Sequence, residues 1–116
     1  MRFVCLVYFE PETFAALSPS EKATIGRDSM AYDKELDRRG NYIVAEALEP
    51  VQKARTTRVR QGRAMTTDGP FAETKEQLGG YFMLHCDDLD EAIEIAAKIP
   101  GARHGSIEIR PVLEIM

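Results

Sequence analysis

Apolar residues in this chain recur with two periods, and the exchange between them predicts the fold. "RFVCLVYF" (Arg2 to Phe9) is apolar on both alternating faces. Such a run suits a central strand covered on both sides. "LSPSEKATIGRDSMAYDKELDRRG" then changes to helical spacing, with Ile25, Tyr32 and Leu36 on one face and Ser29 filling the same stripe. Ser18 is a good N-cap, Pro19 fits the first helical position, and Glu21 completes a capping box. Arg38 and Arg39 favour the negative end of the helix dipole, and Gly40 takes the left-handed position that closes the helix. Gly26, inside the helix, weakens it by about 1 kcal/mol relative to alanine.

"NYIVAEAL" (Asn41 to Leu48) predicts a second strand, ended near Pro50. "ARTTRVRQGRAMTT" predicts a hairpin that turns at Gln61-Gly62. "YFMLHC" (Tyr81 to Cys86) is another strand. "DDLDEAIEIAAKIPG" follows as a helix, with Asp88 as cap, Glu91 completing a capping box, and Leu89, Ala92, Ile93, Ala96 and Ile99 as its apolar stripe. Pro100 and Gly101 stop it. "SIEIRPVLEI" closes the series as a strand with Ile107 and Ile109 alternating against Glu108 and Arg110.

Without the hairpin, the order reads βαββαβ. That is an α+β, ferredoxin-like arrangement: an antiparallel sheet with both helices on one face and a hairpin inserted. The other sheet face is then uncovered, yet its strands are apolar there too. A second copy, packed sheet against sheet about a two-fold axis, is the expected cover. The 116 residues form one domain, 1–116, with no repeats or linkers.

Charge narrows the function classes. Fifteen basic and nineteen acidic residues leave a formal charge of -4, so direct nucleic-acid binding is not expected. Lys53, Arg55, Arg58, Arg60 and Arg63 are a local exception, read as a solvated hairpin whose charges blunt an exposed sheet edge. Cys5 and Cys86 lie in apolar runs and read as buried free thiols. No Cys or His spacing marks a metal site, and no cofactor motif is present. The apolar start is too short for a leader and no run is long enough to span a bilayer, so a cytoplasmic location is expected.

The densest chemistry lies in "TTDGPFAETKEQLGGYF" (Thr66 to Phe82). Most connections need only about 4–6 residues. Asp68, Gly69 and Pro70 supply turn chemistry, Asp68 as an Asx turn, and Phe71 is expected to anchor the loop in the core. A structural loop has no need of Thr74, Lys75 and Glu76. Asp68 is therefore the candidate catalytic carboxylate, and Thr74, Lys75 and Glu76 are candidate ligand contacts. Tyr8, Glu46 and Arg110, on strands expected to meet near a sheet end, complete the set, with Arg110 as a fork for a small anionic ligand. The competing reading of Lys75 and Glu76 is a solvated ion pair, and of Arg110 a structural partner of Glu108's neighbours or of Glu46. His85 reads as an interface or core residue and His104 as a solvated loop residue.

The same loop resembles the signature of the DGPF (DGPFAETKE) branch of the YCII-related family. "EALEP", "TTRVRQGR", "DDLDEAIEIAAKIPGAR" and "GSIEIRPV" are also similar, so the likeness covers nearly the whole chain. It implies a dimeric α/β-barrel type of fold with a ferredoxin-like protomer and a ligand cleft near the loop. In the broader family a His–Asp pair is the proposed catalytic dyad of small lactone- or muconolactone-processing enzymes. Its histidine lies near the start of the first helix, where this chain has "SPSEKATIGR" and no histidine. A binding or regulatory role is therefore expected ahead of that acid–base enzyme. Genes of the branch often accompany extracytoplasmic-function sigma factors, which implies a third role, as accessory protein in transcription initiation.

Overall fold

The computed structural model describes residues 1–114. Six strands and three helices run in the order β1 (Arg2–Phe9), α1 (Pro11–Ala15), α2 (Pro19–Arg38), β2 (Tyr42–Ala47), β3 (Arg55–Arg60), β4 (Arg63–Asp68), β5 (Gln77–His85), α3 (Leu89–Ala97) and β6 (Gly105–Pro111). β2, β5, β1 and β6 form one antiparallel sheet in that spatial order, and β3–β4 is a separate hairpin. The expected ferredoxin-like arrangement with an inserted hairpin is present. Ile115, the last residue of the stretch read as the final strand, lies outside the described residues.

The capping box of α2 forms as read: Ser18 Oγ accepts from Glu21 N at 3.0 Å, and Glu21 Oε1 accepts from Ser18 N at 2.9 Å. These bonds hold the Glu21 carboxyl below its ordinary range. Gly40 closes the helix at φ 79°, and the hairpin turns at Gln61 (φ 53°) and Gly62 (φ 74°). Alternation then sorts the sheet. Phe3, Cys5, Phe82 and Leu84 point to the helices and are buried with Tyr32, Leu36, Ala92, Ile95, Ala96 and Ile99. Tyr32 Oη donates to Ile95 O at 2.8 Å, which joins α2 to α3.

Four local expectations are corrected. α1 is an extra five-residue helix, invisible beforehand because it has no capping side chain and buries none of its residues. The apolar stripe of α3 is rotated: Ile95 is buried, whereas Leu89 and Ile93 remain 48% and 47% exposed. Two overlapping 3–4 patterns exist in that sequence, and packing against Tyr32 selects the one through Ile95. Asp88 Oδ1 caps Glu91 N, but Glu91 Oε1 accepts from Asp87 N at 2.8 Å instead of returning to the cap residue. Finally, β5 begins at Gln77, not Tyr81. Gly79 and Gly80 belong to the strand because neighbours occupy their side-chain space: a Cβ on Gly79 would fall in the Phe9 ring, and one on Gly80 would lie 2.8 Å from Glu46 O. The polar loop is correspondingly shorter.

Candidate functional site

The sequence-derived set separates into three places. Tyr8 and Arg110 share the open face of the sheet without touching: Arg110 is registered opposite Val4, and Glu108 lies between the two. Tyr8 Oη donates to Glu108 Oε1 at 3.3 Å. Burial and the Glu108 carboxylate raise the Tyr8 pKa, and the Arg110 guanidinium opposes them. Glu46, on β2, is paired with Tyr81 of β5, and both line the cavity beside α2 described below. Glu46 cannot reach Arg110, since β2 and β6 are opposite edges, three strand spacings or about 14 Å apart.

Asp68 ends β4 as expected, but its carboxylate faces Arg55, with Nε to Oδ1 at 3.0 Å, and is 91% exposed. The turn is instead closed by Gly69 N donating to Ala54 O and by Thr56 Oγ1 donating to Gly69 O, both at 2.9 Å. Gly69 supplies the left-handed φ of 98°. Phe71 is no core anchor: it is 78% exposed, with the Arg58 guanidinium 5.3 Å from its ring centroid. A basic residue on the hairpin thus holds it from outside.

The rest of the loop is ordered by Gln77. Its Nε2 donates to Thr74 O at 2.8 Å and Ala72 O at 3.0 Å, while Thr74 Oγ1 donates to Glu76 O at 2.6 Å. Lys75 Nζ stands 3.8 Å from Glu10 Oε2 and Glu76 is exposed. Thr74 and Lys75 line an open cleft with Glu10, Pro11 and Val51. Tyr8, Glu46 and Arg110 do not line it.

A second cavity, of about 260 Å3, lies between α2 and the helix-facing side of the sheet. Val7, Ala45 and Phe82 form its floor, and Phe14 and Ile25 cover it. Ser29 and Asp33 line the same cavity at successive i+4 steps from Ile25. Asp33 Oδ1 is buried and has no hydrogen-bond partner. Burial raises the Asp33 pKa. A carboxyl at the mouth of an apolar cavity, with an oxygen unanswered by protein, is arranged to accept a hydrogen bond from something else.

Asp33 was missed in the sequence. The signal available was weak: an acid in i+4 phase with Ile25 and Ser29, in a series that also holds Glu21 and Asp37. Among the described residues no group of three His, Cys, Asp or Glu side chains converges as a metal site. No helix there is long and apolar enough to cross a membrane, which says nothing of strands.

A family model, the YCII-related domain, matches residues 1–116. The chain belongs to the YCII-related family. A relative from Rhizobium meliloti (strain 1021), "Uncharacterized protein R00369", is 35% identical over 114 residues, covering 97% of this chain and 92% of the relative. Among solved structures, the chain is similar to 5-chloro-2-hydroxyhydroquinone dehydrochlorinase (TftG) from Burkholderia phenoliruptrix AC1100, in complex with 2,5-dihydroxybenzoquinone. The TM-score is 0.53 at 14% identity, over 97% of this chain and 94% of that one. At that identity the likeness speaks for the ferredoxin-like fold.

Proposed function

We propose that this YCII-related protein binds a small, largely apolar molecule carrying a hydroxyl or another proton donor, in the cavity between α2 and the sheet. The observation that carries the reading is the buried, unpartnered Oδ1 of Asp33. An apolar wall selects for ring or chain carbon, and one unanswered acceptor selects for a donor placed against it. The candidate centre therefore moves from Asp68 to Asp33, and the DGPFAETKE-like loop becomes the outer rim.

The same contact supports an acid–base enzyme as the second reading. A carboxyl whose pKa is raised by desolvation is a stronger base once ionised, so it can withdraw the proton of a bound hydroxyl. The related fold named above acts on a hydroxylated ring, which makes hydroxyquinones and phenols suitable probes. Calorimetric titration with 2,5-dihydroxybenzoquinone and with phenol tests the binding. Asp33→Asn should weaken it at least tenfold while the fold, read by circular dichroism, stays intact. Equal affinity in the variant would remove Asp33 from the site. Chemical change of the quinone by the wild type and not by the variant would extend the role from binding to catalysis.

We also propose that the open sheet face meets a second copy. Its rows are Val44–Met83–Val4–Arg110 and Glu46–Tyr81–Leu6–Glu108. The apolar middle is flanked by Glu46 on the β2 edge and by Glu108 and Arg110 on the β6 edge, a dry centre with a polar rim that suits an interface.

A further inference from the structure

We propose that the Asp33 cavity is the inner end of one groove that runs out to the Thr74–Lys75 rim, so that the bound molecule is elongated: a ring hydroxyl at Asp33 and an apolar tail ending in an uncharged polar group. This rests on the Asp33 reading above and deepens it. The cavity and a neighbouring cleft of about 370 Å3 share Phe14 and Gly79, which stand between them. That cleft in turn shares Pro11, Val51, Gln52 and Gln77 with the cleft lined by Thr74 and Lys75. The three spaces therefore adjoin in series, each separated from the next by no more than these shared side chains.

The neck is narrow: Gly79 contributes no side chain to it, but the Phe9 ring occupies the space beside it, so passage depends on the opposite wall. The other wall, Phe14, sits on the five-residue α1, none of whose residues is buried. Its ring leans on Phe9, centroids 4.9 Å apart, and has Lys22 Nζ 5.8 Å away. A half-exposed ring on a short helix can swing aside at little cost, whereas a residue packed in the core cannot. Beyond the neck the wall is again apolar, from Leu48, Pro50 and Val51.

The charges along the outer groove decide the tail's chemistry. Glu10, Glu12, Glu49 and Glu73 line it against Lys22 and Lys75. Lys75 is already beside Glu10, and Lys22 Nζ is 3.4 Å from Ala15 O. Glu49 is likewise beside Lys53, at 2.9 Å, and the carboxylates that remain disfavour an anionic tail. An uncharged tail is therefore proposed in place of the small anionic ligand expected from the sequence.

Phenol, 4-propylphenol and 4-heptylphenol, titrated calorimetrically into the whole protein, test the groove. Each methylene that enters an apolar wall contributes about 0.8 kcal/mol, or about fourfold in affinity. Continued strengthening from propyl to heptyl, lost in Leu48→Asp without change in phenol affinity, is the expected result. Leu48 is half exposed, so this variant retains its fold. Affinity that levels off at propyl, or a heptyl gain that survives Leu48→Asp, overturns the groove while leaving the Asp33 site standing. Phenol binding indifferent to Asp33→Asn, beside a heptyl gain that Leu48→Asp removes, overturns the Asp33 reading instead. No binding of any probe overturns both.

Discussion

Arg55 and Asp68 face each other across the base of the hairpin, Nε to Oδ1 at 3.0 Å, as the outermost pair of the β3–β4 register. Both are largely exposed, so water screens the pair and its worth is about 0–1 kcal/mol. Asp68→Asn should therefore lower stability by less than about 1 kcal/mol in urea unfolding. It should leave the affinity for 2,5-dihydroxybenzoquinone unchanged. A tenfold loss of affinity with stability intact would return Asp68 to the site.

Asp33 predicts a pH dependence. Its pKa is raised in the folded state by desolvation, so the folded protein favours the protonated form. That preference stabilises the fold below the unfolded carboxyl pKa and is lost as pH rises through the folded value. Asp33→Asn removes the titration. The variant should melt higher than the wild type at pH 7, and the gap should close as the pH falls below about 4. A wild type that melts higher than the variant at pH 7 would mean that a protein partner for the carboxylate has been overlooked.

The first turn of α2 has the opposite sign. Hydrogen bonds from the Ser18 backbone and side chain lower the Glu21 pKa. Their stabilisation is present above the unfolded carboxyl pKa and lost as pH falls through the folded one. Ser18→Ala leaves Glu21 N without its partner and should cost about 1 kcal/mol at pH 7. Its deficit in urea unfolding should shrink in acid only by the part of the Glu21 shift that the serine side chain supplies, because alanine keeps the backbone N–H of the reciprocal bond. An undiminished deficit at pH 3 would assign the whole effect to the serine hydroxyl.

What was legible in the sequence follows what is local. The capping box at Ser18, the stop at Gly40, the turn at Gln61-Gly62 and the two-faced β1 run are decided within a few residues, and each appears where the chain predicts it. Gly79 and Gly80 read as loop because glycine in a strand makes sense only once Phe9 and Glu46 are seen to fill the space. The candidate site residues were chosen on equally local grounds. Asp68 and Lys75 are conspicuous in sequence, yet each meets a nearby opposite charge at the surface. Asp33 is one of several acids on α2, and its distinction arises only where the helix lies over the sheet.

Cysteine chemistry checks the core. Cys5 is completely buried, and burial pushes its thiol up to about 11; Cys86, also buried, is raised by the same cause. Only the thiolate attacks a disulfide reagent. Ellman's reagent at pH 8 should thus label neither residue in the native protein and both in denaturant. Rapid native labelling of Cys5 would mean that β1 is not covered by the helices.

The open sheet face gives the last prediction. Val4, Leu6, Tyr81 and Met83 lie together there, on the two central strands, and none of them is covered by α2 or α3. An antiparallel sheet that faced water would carry polar residues at those positions. A second copy laid face to face would bury the apolar rows and set the charged edges of β2 and β6 against the partner. Sedimentation at micromolar concentration should then report about twice 13.0 kDa. Leu6→Glu places a charge at the centre of the face beside Glu108 and should give a monomer with an unchanged circular dichroism spectrum. If the wild type already sediments as a monomer, the apolar face has another use. If Leu6→Glu remains a dimer, the copies associate elsewhere, and the protruding β3–β4 hairpin is the next surface to alter.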